Sequence, residues 1–187
     1  MNSKFVFKAE KCLIRALNFD DVKSISELAD NKKIWDNVSD EFPHPYTDIH
    51  GLEFVKAVSK ISPPLHFAIE FENQAIGVIS IEPRKGMHRI KAEIGYWIGE
   101  PFWGKGISTD AIKLILHYGF NYLNLEKIEA RTFEYNKASE KALLNAGFRN
   151  ICIFHNDALK NNRLIDINYL AILKEEYLNN NLIYNNQ

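Results

Sequence analysis

A single α+β domain, with mostly antiparallel strands around one sheet, is the fold class this sequence predicts. Three observations predict it. Short strand-like runs near 66–71, 75–81, 92–98, 128–133, 148–154 and 164–172 are set apart by turn residues or by stretches of helical period. A strand, a loop holding Gly99, Gly104 and Gly106, and a long helical pattern follow one another across 91–123. The chain of 187 residues has no internal repeat and no low-complexity linker, so one domain with a sizeable core is expected.

Taken in order, 11–17 reads as the first strand, after which Asn18 or Asp20 caps a helix across 21–30 with Ile25, Leu28 and Ala29 facing inwards. A short helical turn across 31–38, with Trp35, precedes the break at Pro43-His44-Pro45. Asp48 then caps a helix reaching about Ser59, with Leu52, Val55 and Val58 on its inner face, and Pro63-Pro64 ends the segment. Glu72-Asn73-Gln74 is a polar connection suited to a hairpin between strands at 66–71 and 75–81. The segment RKGMHR (84–89) is a solvent-facing turn with three or four positive groups. The helix from Ile107 carries Ala111, Leu114, Ile115 and Tyr118 on one stripe, with Ile112, Leu116 and Leu123 beside it, and is expected to be largely buried. After a strand at 128–133, Asn136 opens a helix stopped by Gly147. Strands at 148–154 and 164–172 flank the turn Lys160-Asn161-Asn162-Arg163. The domain is read as 1–178, with an asparagine-rich frayed tail over 179–187.

Composition narrows the function classes. Lys plus Arg number 23 against 24 Asp plus Glu, a net charge of −1 with no excess that points to nucleic acid. There is no signal-peptide pattern and no run of about 18 apolar residues, so the reading is a cytoplasmic protein without a membrane partner. Cys12 and Cys152 form no metal or disulfide motif, no metal site is expected, and ordinary burial is the reading for both.

The glycine loop carries the chemistry. Glycines let backbone N–H groups turn towards one point, and the positive end of the following helix faces whatever sits there, so a phosphate or pyrophosphate is the expected occupant. The alternative is that the close glycines serve only a strand-to-helix turn. Gly99, Gly104 and Lys105 match G-x-x-x-x-G-K, but Gly106 stands where a P-loop needs Ser or Thr for magnesium. Thr109 stands where a dinucleotide fingerprint has its third glycine. A phosphate-binding turn with neither a metal ligand nor a ribose-reading pattern remains.

The run EIGYWIGEPFWGKGIST, a long helix, a strand and then NKASEKALLNAGF resemble the acetyl-CoA-binding core of the GNAT superfamily of N-acetyltransferases, and within it the Rim-type branch of ribosomal-protein N-terminal acetyltransferases and small-molecule relatives. FPHPYT (42–47) resembles that branch's loop before its second helix. The resemblance spans about 66–172. It implies a central mixed sheet of about seven strands, splayed at the fourth and fifth, flanked by about four or five helices. It implies acetyl-CoA as cofactor and direct attack of a primary amine on its thioester. Pyrophosphate is then expected on the turn formed by Trp103, Gly104, Lys105, Gly106, Ile107, Ser108 and Thr109, where Lys105 adds charge and Ser108 a hydroxyl. Trp103 replaces the family's usual Arg or Gln, and Ser108 its closing Gly or Ala. Tyr96, Trp97 and Ile98 are expected to line the pantetheine arm with their backbone, one N–H polarising the thioester carbonyl.

By the same resemblance, Leu143 stands where many members have a proton-donating Tyr, while the branch's N-x-x-S is met by Asn136 and Ser139. Asn136 is expected to bind the cofactor and Ser139 to protonate the leaving sulfur; read from the residues alone, Ser139 is a helix-start residue. Lys141 reaches either the cofactor's 3′-phosphate or solvent. Glu93 occupies the place of a base in distant members, and Ala158 replaces the branch's glutamate, so the base stands open between Glu93, Asp157, His155 and a water chain. Phe42, His44 and Tyr46 form either a wall of the acceptor site or a plug that ties down the helical segment. The acceptor is a peptide N-terminus or a small-molecule amine; Asp40, Glu41 and Asp48 suit a polyamine if they converge. A non-catalytic acyl-CoA sensor on the same fold is the alternative function. A homodimer through an exposed edge strand near 164–172 is the remaining partner expectation.

Overall fold

The computed structural model describes the backbone of residues 5–184 and the side chains as far as residue 179. Among the described residues, eight strands and six α-helices follow in the order β1 (Val6–Lys8), β2 (Leu13–Ala16), α1 (Val22–Ala29), α2 (Lys32–Trp35), α3 (Asp48–Val58), β3 (His66–Phe71), β4 (Gln74–Pro83), β5 (Lys91–Ile98), α4 (Ile107–Asn121), β6 (Lys127–Phe133), α5 (Lys137–Asn145), β7 (Arg149–Lys160), β8 (Arg163–Leu173) and α6 (Lys174–Tyr184). They form one mixed sheet in the order β1-β2-β3-β4-β5-β6-β8-β7. The β5–β6 ladder is parallel; β1–β2, β2–β3, β3–β4, β6–β8 and β7–β8 are antiparallel. This is the expected α+β class.

The extra strand, against the seven expected, is β1. It pairs Val6 with Arg15 and Lys8 with Leu13 across a turn closed by Ala9 N–H donating to Cys12 O at 2.8 Å. That turn contains no Gly, Pro or Asn, so 6–16 reads as one continuous run. The extra helix is α6. Residues 179–184, expected to fray, continue it, because asparagine costs a formed helix only a few tenths of a kcal/mol per residue and extension needs no new nucleus. Residues 1–4 and 185–187, the ends of the expected domain and tail, lie outside the described residues.

Two compact units share these elements: the chain up to Ser80 with Tyr96–Leu114, and Ile81–Gly95 with the chain from Ile115 onward. In the first, Leu17, Ile25, Val55, Val58, Ala68, Ala75 and Val78 form a core against which Val22, Phe54 and Trp97 pack. Asn18, the alternative to Asp20, provides the cap: its side chain accepts from Asp20 N–H at 2.8 Å while Asp21 accepts from Asn18 N–H at 2.9 Å, and α1 follows that 3₁₀ turn. Arg15 of β2 donates to both Asp21 oxygens at 2.7 and 2.8 Å and to Glu70 of β3, tying the sheet to the start of α1. Thr47, one residue before the expected Asp48, caps α3. The inner face of α3 is Gly51, Val55 and Val58, and Leu52 is exposed. A Cβ on Gly51 would lie 2.1 Å from Ser26 Oγ, so α1 and α3 approach closest there and the helix turns its glycine inwards.

In the second unit, a Cβ on Gly119 would lie 2.7 Å from both Ile81 and Ile128, which places α4 directly against β4 and β6. β8 lies between β6 and β7. The edge at this end of the sheet is therefore β7, in place of the strand near 164–172 from which a dimer was expected. Burial along β8 is nearly continuous from Ile165 to Ile172, the pattern of an interior strand. Asn161 and Asn162, both at positive φ (51° and 59°), close the β7–β8 hairpin at the expected turn. Cys12 is buried, but Cys152 on β7 is exposed, contrary to the expectation for it.

Among the glycines of the first unit, Gly77 makes the closest approach to backbone: a Cβ there would lie 2.3 Å from Trp97 O and 2.9 Å from Ile98 Cα. These backbone atoms of β5 cannot rotate away as a side chain could. Gly77→Ala is expected to lower stability by about 1–3 kcal/mol, the usual scale of overpacking. Thermal denaturation should show a Tm lower by several degrees; an unchanged Tm would mean that the two strands separate freely at this point.

Candidate active site

In the first unit, β5 runs through a 3₁₀ turn (Glu100–Phe102) into α4. Gly99 N–H donates to Ile76 O at 2.8 Å, and Trp103 Nε1 donates to Ile98 O at 2.6 Å, so both ends of the turn are held. Glu100 accepts from Asn31 Nδ2 at 2.8 Å and pairs with Lys33, whose ammonium lowers the carboxyl's pKa, with Asn31 helping. Gly104 and Gly106 adopt φ of +74° and +78°, a region where other residues are strained. Trp103 N–H donates to Glu100 O and Asp110 N–H to Gly106 O, but the N–H groups of residues 104–109 have no acceptor among the described residues. Six successive unclaimed amides run through the turn and into the first residues of a 15-residue helix.

A cation lies beside them, and it comes from a distant part of the chain. A Cβ on Gly106 would lie 2.8 Å from Lys11 Nζ. Lys11 is held by its own N–H donating to Asp110 Oδ2 at 3.2 Å. The adjacent Cys12 thiol donates to Ile107 O at 3.8 Å, and burial, with Asp110 adding to it, pushes that thiol's pKa up to about 12, so it stays neutral. Lys105, expected to supply the charge, sits with Nζ 5.3 Å from the centre of the Phe102 ring. No local motif points to Lys11, which reaches the turn only through the β1–β2 hairpin. The donor set, the left-handed glycines and the ammonium fit a diphosphate.

The β5–β6 register runs from Lys91↔Lys127 to Ile94↔Ala130, so Tyr96, Trp97 and Ile98 lie beyond that ladder. Phe42 meets the edge of Trp97 with ring centres 5.9 Å apart, bringing the aromatic loop to this strand. Its members differ in burial. Tyr46 is buried, which raises its phenol pKa, and its N–H donates to Asp30 Oδ1 at 3.0 Å; it is the plug. His44 stacks on Trp35 at 5.5 Å and stays exposed, and Phe42 is half-buried.

The second unit holds the other candidates. Asn136 caps α5, its Oδ1 accepting Ser139 N–H at 3.1 Å, which leaves Nδ2 as the donor for a ligand. Ser139 is half-buried in the first turn of α5, and Leu143 is fully buried. Asp166 O accepts Glu134 N–H at 3.0 Å, two residues before Asn136, and its carboxylate accepts Asn156 N–H at 2.9 Å and lies 2.7 Å from His155 Nδ1. The Asn156 N–H, then His155, hold the Asp166 carboxyl below its usual pKa. A register shift between Phe154 and Ala158 lifts this segment out of the ladder. Glu93 accepts from Arg84 through one oxygen, while the other lies 3.9 Å from Arg131.

A mixed-sheet α+β fold with an anion-suited turn at the start of a helix is the class these features define. A family model described as acetyltransferase (GNAT) domain matches residues 11–149, and the chain belongs to that family. It is similar to the uncharacterized N-acetyltransferase p20 of Bacillus licheniformis, 38% identical over 46% of this chain and 49% of that protein. It is also similar to the ribosomal-protein-serine acetyltransferase of Escherichia coli (strain K12), 32% identical over 44% and 45%. The chain thus spans about half the length of each of these curated relatives. Among solved structures, a GNAT acetyltransferase from Bacillus anthracis matches with a TM-score of 0.80 and 26% identity, covering 91% of this chain and 99% of that one. Spermidine N-acetyltransferase from Vibrio cholerae, solved with CoA and spermine, matches with a TM-score of 0.75 and 26% identity over 90% and 98%. The Rim-type likeness read from the sequence agrees with the ribosomal-protein relative, and acetyl-CoA is the cofactor of the family.

Lys11→Ala is expected to weaken CoA binding roughly tenfold, the scale of one charge-assisted contact, and Lys105→Ala to weaken it less. Calorimetric titration with CoA checks both. A larger loss in Lys105→Ala than in Lys11→Ala would place Lys105, and not Lys11, at the phosphates.

Proposed function

We propose that this protein is an acetyl-CoA-dependent N-acetyltransferase that passes the acetyl group directly to a primary amine while both substrates are bound. The observation that carries the reading is the run of unclaimed N–H groups over residues 104–109 beside Lys11. Bound acetyl-CoA supplies an activated thioester. Residues 104–109 and Lys11 hold its diphosphate, Tyr96, Trp97 and Ile98 run along its arm, and Asn136 Nδ2 donates to it. Ser139, fixed on the capped first turn of α5, offers its hydroxyl proton to the departing sulfur.

An alkyl amine arrives as ammonium near neutral pH, so its proton needs a receiver. Of the groups open in the sequence, His155 is our choice, supported by its contact with Asp166. Asp166 holds the ring through Nδ1, which leaves Nε2 as the receiving atom. Glu93, with its oxygens turned to Arg84 and Arg131, serves as their counter-ion. Phe42 and His44 line the approach of the acceptor. The relatives' named substrates, spermidine and a ribosomal protein, mark the two acceptor classes: a small-molecule amine and a peptide N-terminus.

Ser139→Ala is expected to lower kcat by about 10- to 10⁴-fold with CoA affinity nearly unchanged. Unchanged turnover would remove Ser139 from the mechanism. His155→Gln should lower kcat/KM by about 10²-fold, the lower range for a lost general base, whereas Glu93→Gln should change it only a few fold. The reverse ranking would return the proton to Glu93. Turnover is read with labelled acetyl-CoA against a panel of peptides, polyamines and aminoglycosides.

A further inference from the structure

The turn at 84–89, which reads in sequence as a solvated run of positive charge, encloses space in the structure. Arg84, Lys85 and His88 from this turn, Lys91 of β5, and Glu129 and Arg131 of β6 line an open cavity of about 330 Å³. Gly86 at φ +62° folds the turn, with His88 N–H donating to Lys85 O and Arg89 N–H to Gly86 O, both at 3.2 Å. All of these residues belong to the second unit.

The charges on the walls do not cancel. Glu129 is 2% exposed, and Lys91 and Lys127 share it at 2.7 and 3.1 Å. Burial alone raises a carboxyl's pKa, but hydrogen bonds from Lys91, Tyr169 and Lys127 outweigh it and bring Glu129 down to about 2. Glu129 thus stays ionised and pins the Lys91 ammonium to the cavity. Glu93 is shared in the same way between Arg84 and Arg131. Two carboxylates, Glu129 and Glu93, therefore face four Lys and Arg cations, and Lys85 and His88 have no side-chain partner among the described residues. An excess of about two positive charges around one concavity attracts a multiply charged anion. Two guanidinium forks among the cations favour planar or tetrahedral oxyanions over halide. The volume lies within the range of small-ligand sites, ~300–1,000 Å³, and leaves room for carbon atoms attached to the anion.

We propose that this cavity is a binding site for a phosphate monoester, distinct from the diphosphate cradle at the start of α4. It receives the phosphoryl oxygens on Arg84, Arg131, Lys85 and Lys91, with His88 at the rim.

The test is calorimetric titration of inorganic phosphate and of glycerol phosphate into the protein saturated with CoA, so that the cradle is occupied. Saturable binding that weakens with added salt is expected, with glycerol phosphate the tighter of the two. Arg131→Gln and Lys85→Gln should each weaken it at least about fivefold. Lys85 makes no described contact that folding needs, so that variant reads the site even if Arg131→Gln unfolds. Absence of saturable binding, or unchanged affinity in Lys85→Gln and a folded Arg131→Gln, would overturn the site. Inorganic phosphate binding more tightly than glycerol phosphate would overturn the monoester assignment. CoA titrated separately tells a failure of the cradle from a failure of this cavity.

Discussion

The first amides of a helix cannot bond within it, and this constraint organises the first unit. Here the turn before α4 and its first residues, 104–109, carry six N–H groups that no described part of the chain accepts. The surroundings hold that arrangement open. Trp103 fastens the turn to Ile98, Asp110 holds the backbone of Lys11, and the neutral Cys12 thiol seats against Ile107. Gly77 lets β4 approach the strand that leads into the turn, and the aromatic loop reaches the same strand through Phe42 and Trp97. A ligand with closely spaced phosphoryl oxygens supplies what the helix start lacks.

The second unit is organised by charge. A buried carboxylate is costly unless its oxygens are occupied, and Glu129 meets this with two lysines and a tyrosine. Glu93 does the same with two arginines. Each shared carboxylate fixes two cations in place without neutralising both. A chain with net charge −1 therefore presents one locally basic concavity that its composition does not reveal.

The parts legible in the sequence are those encoded locally. The glycine turn, its helix, the Asn136 cap and the Asn161-Asn162 hairpin each depend on residues a few positions apart. What depended on distant partners was hidden. Lys11 is joined to the cradle only by the β1–β2 pairing, and β1 lacks any turn residue to announce it. Leu52 has the right period for the core, but Gly51 permits the closer helix approach and takes the inner face. Tyr46 and His44, two residues apart in one aromatic loop, part into a buried plug and an exposed ring, a division that Asp30 and Trp35 create. His155 gains meaning only from Asp166, eleven residues away across a hairpin.

The bulged course of β7 bears on self-association. Its outer margin leaves Ile151, Ile153, Phe154 and Leu159 accessible, a composition that invites strand addition by another molecule. Register shifts at Asn150/Cys152 and Phe154/Ala158, with Asn156 turned to φ +52°, break that margin into short pieces. A second chain can zip along only a few residues before the template bends away. The kink thus limits how far a second strand could add along this edge.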